Sequence, residues 1–281
     1  RMTVQIELTV PEKMQTLSNG VKLSSEPAAG EYMKTDIWKM DKPIQVYAAM
    51  FAIGKFAIVK DKWRDKEVNY YVEREYEPYA KKMFNNTPEM MEYFSTITGV
   101  DYPWQKYDQV VVRDYVSGAM ENTTASLYGE FMNQNFREIA DNNFEDIVAH
   151  ELFHQWFGDY VTMESWSNLT VSESFANYGE QLWRKHKYGK ESADRLAYND
   201  LNKYLNSKTY SPLVRFNYND KEDMFDRISY EKGGAILNYL HGLIGDDAFF
   251  KAMNIYLTKN ALSSTEATHW RLAVEEATGE D

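Results

Sequence analysis

The segment His150-Glu151-Leu152-Phe153-His154 places two imidazoles four residues apart around a glutamate. On a helix, residues at that spacing share a face, so both rings can reach a single ion. Glu151 sits one residue past the first imidazole. It is too close to be a comfortable co-ligand, but well placed to take a proton from a water polarised by that ion. The H-E-x-x-H pattern therefore reads as half of a zinc hydrolase site, with His150 and His154 on the metal and Glu151 as general base. The chain holds five histidines; at that frequency a chance match somewhere in the sequence is on the order of one in a hundred.

A further carboxylate, Glu173, lies in Val171-Ser172-Glu173-Ser174-Phe175-Ala176-Asn177-Tyr178, which reads as the start of a second helix. Two histidines and one carboxylate leave the fourth zinc position open, as a catalytic site requires. Glu173 equally suits a first helical turn, whose unpaired N–H groups favour negative charge, and the two roles are compatible. The metzincin pattern would need Gly at 157 and His at 160. The chain has Phe157 and Tyr160, which excludes that class.

The surrounding residues predict the helix that must carry the motif. Asn142 or Asn143 can cap its start, Glu145 and Asp146 fall in its first turn, and Gly158 is the expected stop. Phe144, Ile147, Val148, Leu152, Phe153, Trp156 and Phe157 flank the ligand face. So apolar a helix is buried, where two imidazoles and a carboxylate need a partner, and a metal supplies one.

Further out, residues 1–66 are strand-rich, with alternating runs at 3–10 and 44–60 and turn signals at Ser18-Asn19-Gly20 and Ala28-Ala29-Gly30. From about Tyr71 the period becomes helical, through Tyr79 to Thr98. A short strand at Gln109–Val112 leads to Gly118, and Thr123–Tyr128 reads as its hairpin partner or neighbour. Asp61–Glu67 is a charged hairpin or linker, and beyond Phe144 the chain reads as nearly all helix. The class is α+β.

Composition narrows the function. A net charge of −12 without a basic cluster argues against nucleic acid and anionic membrane surfaces. No apolar run is long enough for a membrane span. Without cysteine, any metal site must be built from His and carboxylate. The compartment stays open.

Four segments occur in order: Gly118-Ala119-Met120-Glu121-Asn122, the zinc motif extended to Gln155-Trp156-Phe157-Gly158-Asp159, Glu173, and Ser229-Tyr230-Glu231-Lys232-Gly233-Gly234. From about Tyr32 onward the chain resembles the aminopeptidase N family of zinc aminopeptidases, gluzincins whose relatives include leukotriene hydrolase. The pentapeptide is the most discriminating piece. The resemblance implies one zinc ion on His150, His154 and Glu173, and Glu151 as general base and later proton donor. It implies that Glu121 binds the free α-amino group of a peptide substrate, within a binding pentapeptide Gly118, Ala119, Met120, Glu121 and Asn122. The backbone of Gly118 and Ala119 would pair with the substrate, and Tyr230 would hydrogen-bond the oxyanion. Charge and chemistry suit each role. Lys232 and Arg227 read as structural charges, and His186, His241 and His269 as surface or packing residues.

The implied fold is a thermolysin-like, mostly helical catalytic domain with a small sheet at 71–281, cut before a helical C-terminal domain. Residues 1–70 would be the C-terminal part of a β-rich N-terminal domain. Departures from the family pattern are Ser167 and Asn168 between the two zinc helices, and Ser172 and Ser174 around Glu173, where relatives commonly have Asn and Gly. Such positions influence ligand orientation. Ser117 lies where relatives form the first side-chain pocket. The alternatives are a zinc endopeptidase, an epoxide-hydrolase-like relative, or an inactive binding fragment.

Overall fold

A computed structural model describes residues 1–280. By contacts the chain divides into two compact units: Arg1–Glu89 with Trp104–Glu151, and Met90–Pro103 with the chain from Leu152 onward.

In the first unit, β1 (Met2–Pro11), β2 (Gln15–Ser18), β3 (Val21–Pro27), β4 (Met33–Ile44), β5 (Phe51–Gly54), β6 (Phe56–Trp63) and β7 (Lys66–Glu73) precede α1 (Glu77–Phe84) and the first turn of α2 (Thr87–Thr98). Then come β8 (Tyr107–Val111), β9 (Ala119–Met120), β10 (Ala125–Tyr128), α3 (Phe136–Asp141) and most of α4 (Glu145–Phe153). Among the described residues the strands form a β1-β4-β3 sheet, a β2-β5 pair and a β6-β7-β8-β10-β9 sheet. Alternation along β1 turns Leu8 and Val10 toward Leu17, Trp38, Met50 and Ala52. Slipping β1 by one residue from its Leu8↔Asp36 register would put the opposite face on this core.

Several boundaries differ from expectation, each for a physical reason. Val68 to Val72 are buried in succession, so β7 has no alternation to read. The strand runs to Glu73, and helix begins at Glu77, with Pro78 in its first turn, rather than near Tyr71. The helical stretch to Thr98 is two helices, broken between Phe84 and Thr87. The 44–60 run is split into a helical turn, β5 and the start of β6. Asp61–Glu67 is a hairpin, with Trp63 opposite Lys66. β10 runs parallel to β8, so it is a neighbour and not a hairpin partner. Asn142 closes α3 through its N–H on the Glu138 carbonyl.

The second unit is mainly helical, as the sequence suggested. It contains the remainder of α2 and of α4, then β11 (Thr162–Met163), α5 (Thr170–Tyr188), α6 (Lys190–Ser207), α7 (Gly233–Lys259), β12 (Ser264–Thr265) and α8 (Ala267–Thr278). β11 and β12 pair in parallel. Phe157 stacks on Phe175 at 4.3 Å and 4°, Tyr256 continues the stack at 5.8 Å, and the Trp270 edge meets Phe175 at 4.9 Å. Such ring pairs add roughly 0.5–1.5 kcal/mol each beyond burial. Phe175 brings α5 into this stack. Inside α7, Gly245 leaves helical geometry at φ 82°, ψ 166°. The class is α+β. Among the described residues no helix is long and apolar enough to cross a membrane.

Candidate active site

α4 ends at Phe153, so His150 and Glu151 occupy its last turn and His154 is the first residue beyond it. Tight turns continue from there: the Gln155 N–H donates to the Leu152 carbonyl at 3.0 Å and the Asp159 N–H to the His154 carbonyl at 2.9 Å. Gly158 lies five residues past the helix end and serves a close approach, not a helix stop. At φ 137°, a Cβ there would sit 2.8 Å from Ser172 Oγ and 3.1 Å from His154 Nδ1. This turn lets the imidazole face α5.

Among the described residues His150, His154 and Glu173 form a buried group, each offering one ligand atom, all within 4.8 Å of one another. His154 Nδ1 faces the Phe157 carbonyl at 3.0 Å and the Ser172 hydroxyl at 3.1 Å. His154 Nε2 lies 3.2 Å from Glu173 Oε2. In the tautomer protonated at Nδ1, Nε2 turns a lone pair toward that carboxylate, a pairing that a cation between them would satisfy. Two nitrogens and one carboxylate also make the donor set of a catalytic zinc site, and the Nδ1 partners fix the tautomer such a ligand requires. The residues fit the metal.

Glu151 is buried beside His150. Its charge and that of Glu121 both bear on the phenol of Tyr115, which burial first, and then these carboxylates, push above its ordinary value. Tyr115 escaped the sequence reading, because one tyrosine among 21 carries no signal.

The pentapeptide is divided between strand and loop. Ala119 and Met120 form β9, paired antiparallel to Tyr128 and Leu127, and the Gly129 N–H donates to the Gly118 carbonyl at 3.0 Å. β9 is the end strand of its sheet. Glu121 and Asn122 follow, buried. The chain after them is clamped. Asn19 Nδ2 donates to the Thr123 carbonyl at 2.7 Å and the Ala48 carbonyl at 2.9 Å, Lys106 Nζ to the Thr124 carbonyl at 3.2 Å, and the Gly20 N–H to Thr124 Oγ1 at 2.9 Å. Thr124 holds φ 69°, an uncommon geometry for a β-branched residue. In the sequence Ser18-Asn19-Gly20 reads only as a turn.

Tyr230 is half-buried in a π-helical turn, Ile228–Lys232, that runs into α7. The Lys232 N–H reaches the Arg227 carbonyl at 2.9 Å, five residues back. Single π-turns recur at functional sites. Lys232 Nζ donates to the Ser211 carbonyl and Arg227 pairs with Glu231, structural contacts in both cases. The remaining histidines pack or cap: His186 stacks on Tyr93, His269 accepts from the Glu266 N–H, and His241 lies between Tyr178 and Asp246.

Residues 82–281 match the peptidase family M1 domain. The chain is similar to glutamyl aminopeptidase of Homo sapiens, 30% identical over 99% of this chain and 30% of that protein. It is also similar to aminopeptidase M1 of Arabidopsis thaliana, 28% identical over 100% of this chain and 33% of the relative. Aminopeptidase N of Streptomyces lividans is 27% identical over 100% of this chain and 34% of the relative. The chain thus spans about a third of the length of these curated relatives. From the match over most of its length, the chain belongs to peptidase family M1.

Proposed function

We propose that the protein is a zinc-dependent aminopeptidase, removing N-terminal residues from peptides with a free amino terminus. The observation that carries this reading is the convergence of His150, His154 and Glu173 next to Glu151 in a chain of family M1. His150, His154 and Glu173 hold one zinc ion. When bound, the ion supplies Lewis-acid polarisation of water and of the scissile carbonyl. Glu151 takes a proton from the attacking water onto its carboxylate and returns it to the departing amine as the C–N bond breaks. The Tyr230 hydroxyl donates a hydrogen bond to the oxyanion that forms at the carbonyl. Glu121 pairs with the substrate ammonium, which sets cleavage one residue from the end. Gly118 and Ala119 pair with the substrate backbone along the outer edge of β9, with Met120 and Asn122 completing the binding segment. The edge position of β9 and the shared influence of Glu121 and Glu151 on Tyr115 support this arrangement.

The test measures metal content together with hydrolysis of one peptide in free and N-acetylated form. The reading expects stoichiometric zinc and cleavage confined to the free form. Equal cleavage of both forms would replace it with an endopeptidase.

A further inference from the structure

Ser174 follows the candidate ligand Glu173 on α5, in the place where the family pattern has a residue without a hydroxyl. It is 2% exposed. Its Oγ donates to the Ser229 carbonyl at 2.6 Å, and Thr170 Oγ1 lies 2.6 Å from Ser174 Oγ. A hydroxyl has one proton, so Thr170 donates to Ser174 and Ser174 to Ser229. The chain of hydroxyls ends one residue before Tyr230.

The Ser229 carbonyl matters because of the π-turn. In a regular α-helix it would accept from the Gly233 N–H. Here that N–H goes to Ile228 and Tyr230 carbonyls instead. The Ser174 hydroxyl therefore supplies a donor at the point where the widened turn has redirected a backbone one. Gly233 makes room for it, since a Cβ there would lie 1.8 Å from Ser174 Oγ. The rest of the turn is fastened from its other side: Arg215 forks onto Asp226 at 2.6 and 3.0 Å, and Asp226 Oδ1 accepts from the Ser229 N–H at 3.1 Å.

We propose that Ser174 is a positioning residue for Tyr230, its hydroxyl holding the π-turn in the width that sets the phenol and tying that setting to the helix of Glu173. This rests on the role given to Tyr230 above. Without the hydroxyl the turn can relax toward α-helical width, which rotates Tyr230 about the helix axis. A hydrogen bond to a stabilising group is lost with small displacements, so the rate suffers more than substrate binding does.

The test is a double-mutant cycle on the metal-loaded protein, with Ser174→Ala and Tyr230→Phe alone and together. Ser174→Gly serves as a second probe, and Ser174→Thr as a conservative rescue. The methyl of Thr has room in the apolar cavity of about 250 Å³ that Ser174 lines with Phe175, Leu237 and Trp270. Ser174→Ala is expected to lower kcat roughly tenfold, the loss of about one hydrogen bond, with KM and metal content unchanged and the melting temperature lowered by only a few degrees. Calorimetric affinity for a phosphinic pseudopeptide, which mimics the tetrahedral state, should fall by a similar factor. Ser174→Thr should restore both. In the Tyr230→Phe background the Ser174→Ala change should have no further effect. An undiminished effect in that background, or a Ser174→Ala enzyme at parental rate, overturns the positioning role and leaves the proposed function standing. Parental kcat in Tyr230→Phe alone sinks the role of Tyr230, and this inference with it.

Discussion

The Ser172 hydroxyl lies 3.1 Å from His154 Nδ1, on the side of the ring turned away from Glu173. The Phe157 carbonyl lies 3.0 Å from the same nitrogen. Ser172→Ala should weaken zinc binding by about tenfold, at the lower end of the usual range for such partners because the carbonyl remains. Chelator competition measures this. Unchanged affinity would assign the orientation of the ring wholly to Phe157.

His154→Ala removes one of the three proposed ligands and should leave the protein without stoichiometric zinc after dialysis. Metal analysis decides it. Retention of one tightly held ion would show that His150 and Glu173 are not completed by His154.

Glu151→Gln keeps the shape of the side chain but loses its capacity to accept a proton. Turnover should fall by about 10²–10⁴-fold with zinc still bound. A variant near parental rate would remove Glu151 from the role of base.

Glu121→Ala should lower kcat/KM on a free peptide by about ten- to a hundredfold, corresponding to roughly 1.5–3 kcal/mol for a charge-assisted bond. Cleavage of the N-acetylated peptide should not fall in parallel. The ratio of the two rates is the readout, and a ratio equal to the parent's would separate Glu121 from recognition of the amine.

Gly233→Ala should destabilise the protein by about 1–3 kcal/mol through overpacking, since its Cβ would fall 1.8 Å from Ser174 Oγ and 2.4 Å from Ser174 Cβ. Adding Ser174→Gly removes both atoms and should recover most of that loss, a coupling that denaturant titration can measure. Simple additivity of the two changes would contradict the packing described.

His241 carries a pH dependence of stability. Burial first lowers its affinity for a proton, outweighing Asp246, and Lys185 adds to the lowering. Its Nδ1 lies 2.7 Å from the Tyr178 hydroxyl and its Nε2 2.8 Å from Asp246 Oδ1. The unfolded chain therefore binds the proton more readily than the folded one. The stabilisation is complete above the ordinary value of 6.5 and is lost as pH falls from there toward the lowered folded value. Urea midpoints at about pH 7.5 and about pH 5 should differ less in His241→Gln than in the parent. An equal difference in both would exclude His241 as the source.

The sequence carried the local half of this site and little of the tertiary half. The spacing of His150, Glu151 and His154 survives in any helix, so the cluster could be read before folding. Glu173 could be read only in company, because a carboxylate at a helix start also suits the unpaired N–H groups there and takes its meaning from the His150–His154 motif and the family resemblance. The end of α4 at Phe153 could not, because apolar residues continue through Trp156 and Phe157 and only tertiary packing turns the chain. The bond from Ser174 to Ser229 spans 55 positions, and no local pattern encodes it. Asn19 reaching Thr123 across 104 positions is the same kind of information. The end of β7 is not legible either, because a strand buried on both faces shows no period.

Gly245 divides α7 into two helices that meet at a kink, in their electrostatics as well as in their backbone. Peptide dipoles add only while they stay aligned, so the break ends one macrodipole and starts another. A negative end of about half a charge then faces the last turn that holds His241, and a positive end of similar size faces Asp246 and Asp247 at the restart. The carboxylates of Asp246 and Asp247 are favoured at that positive end, while the negative end only partly offsets the burial that disfavours a charged His241. In an unbroken α7 the ring and the carboxylates would lie mid-helix, where the polarity of the backbone favours neither.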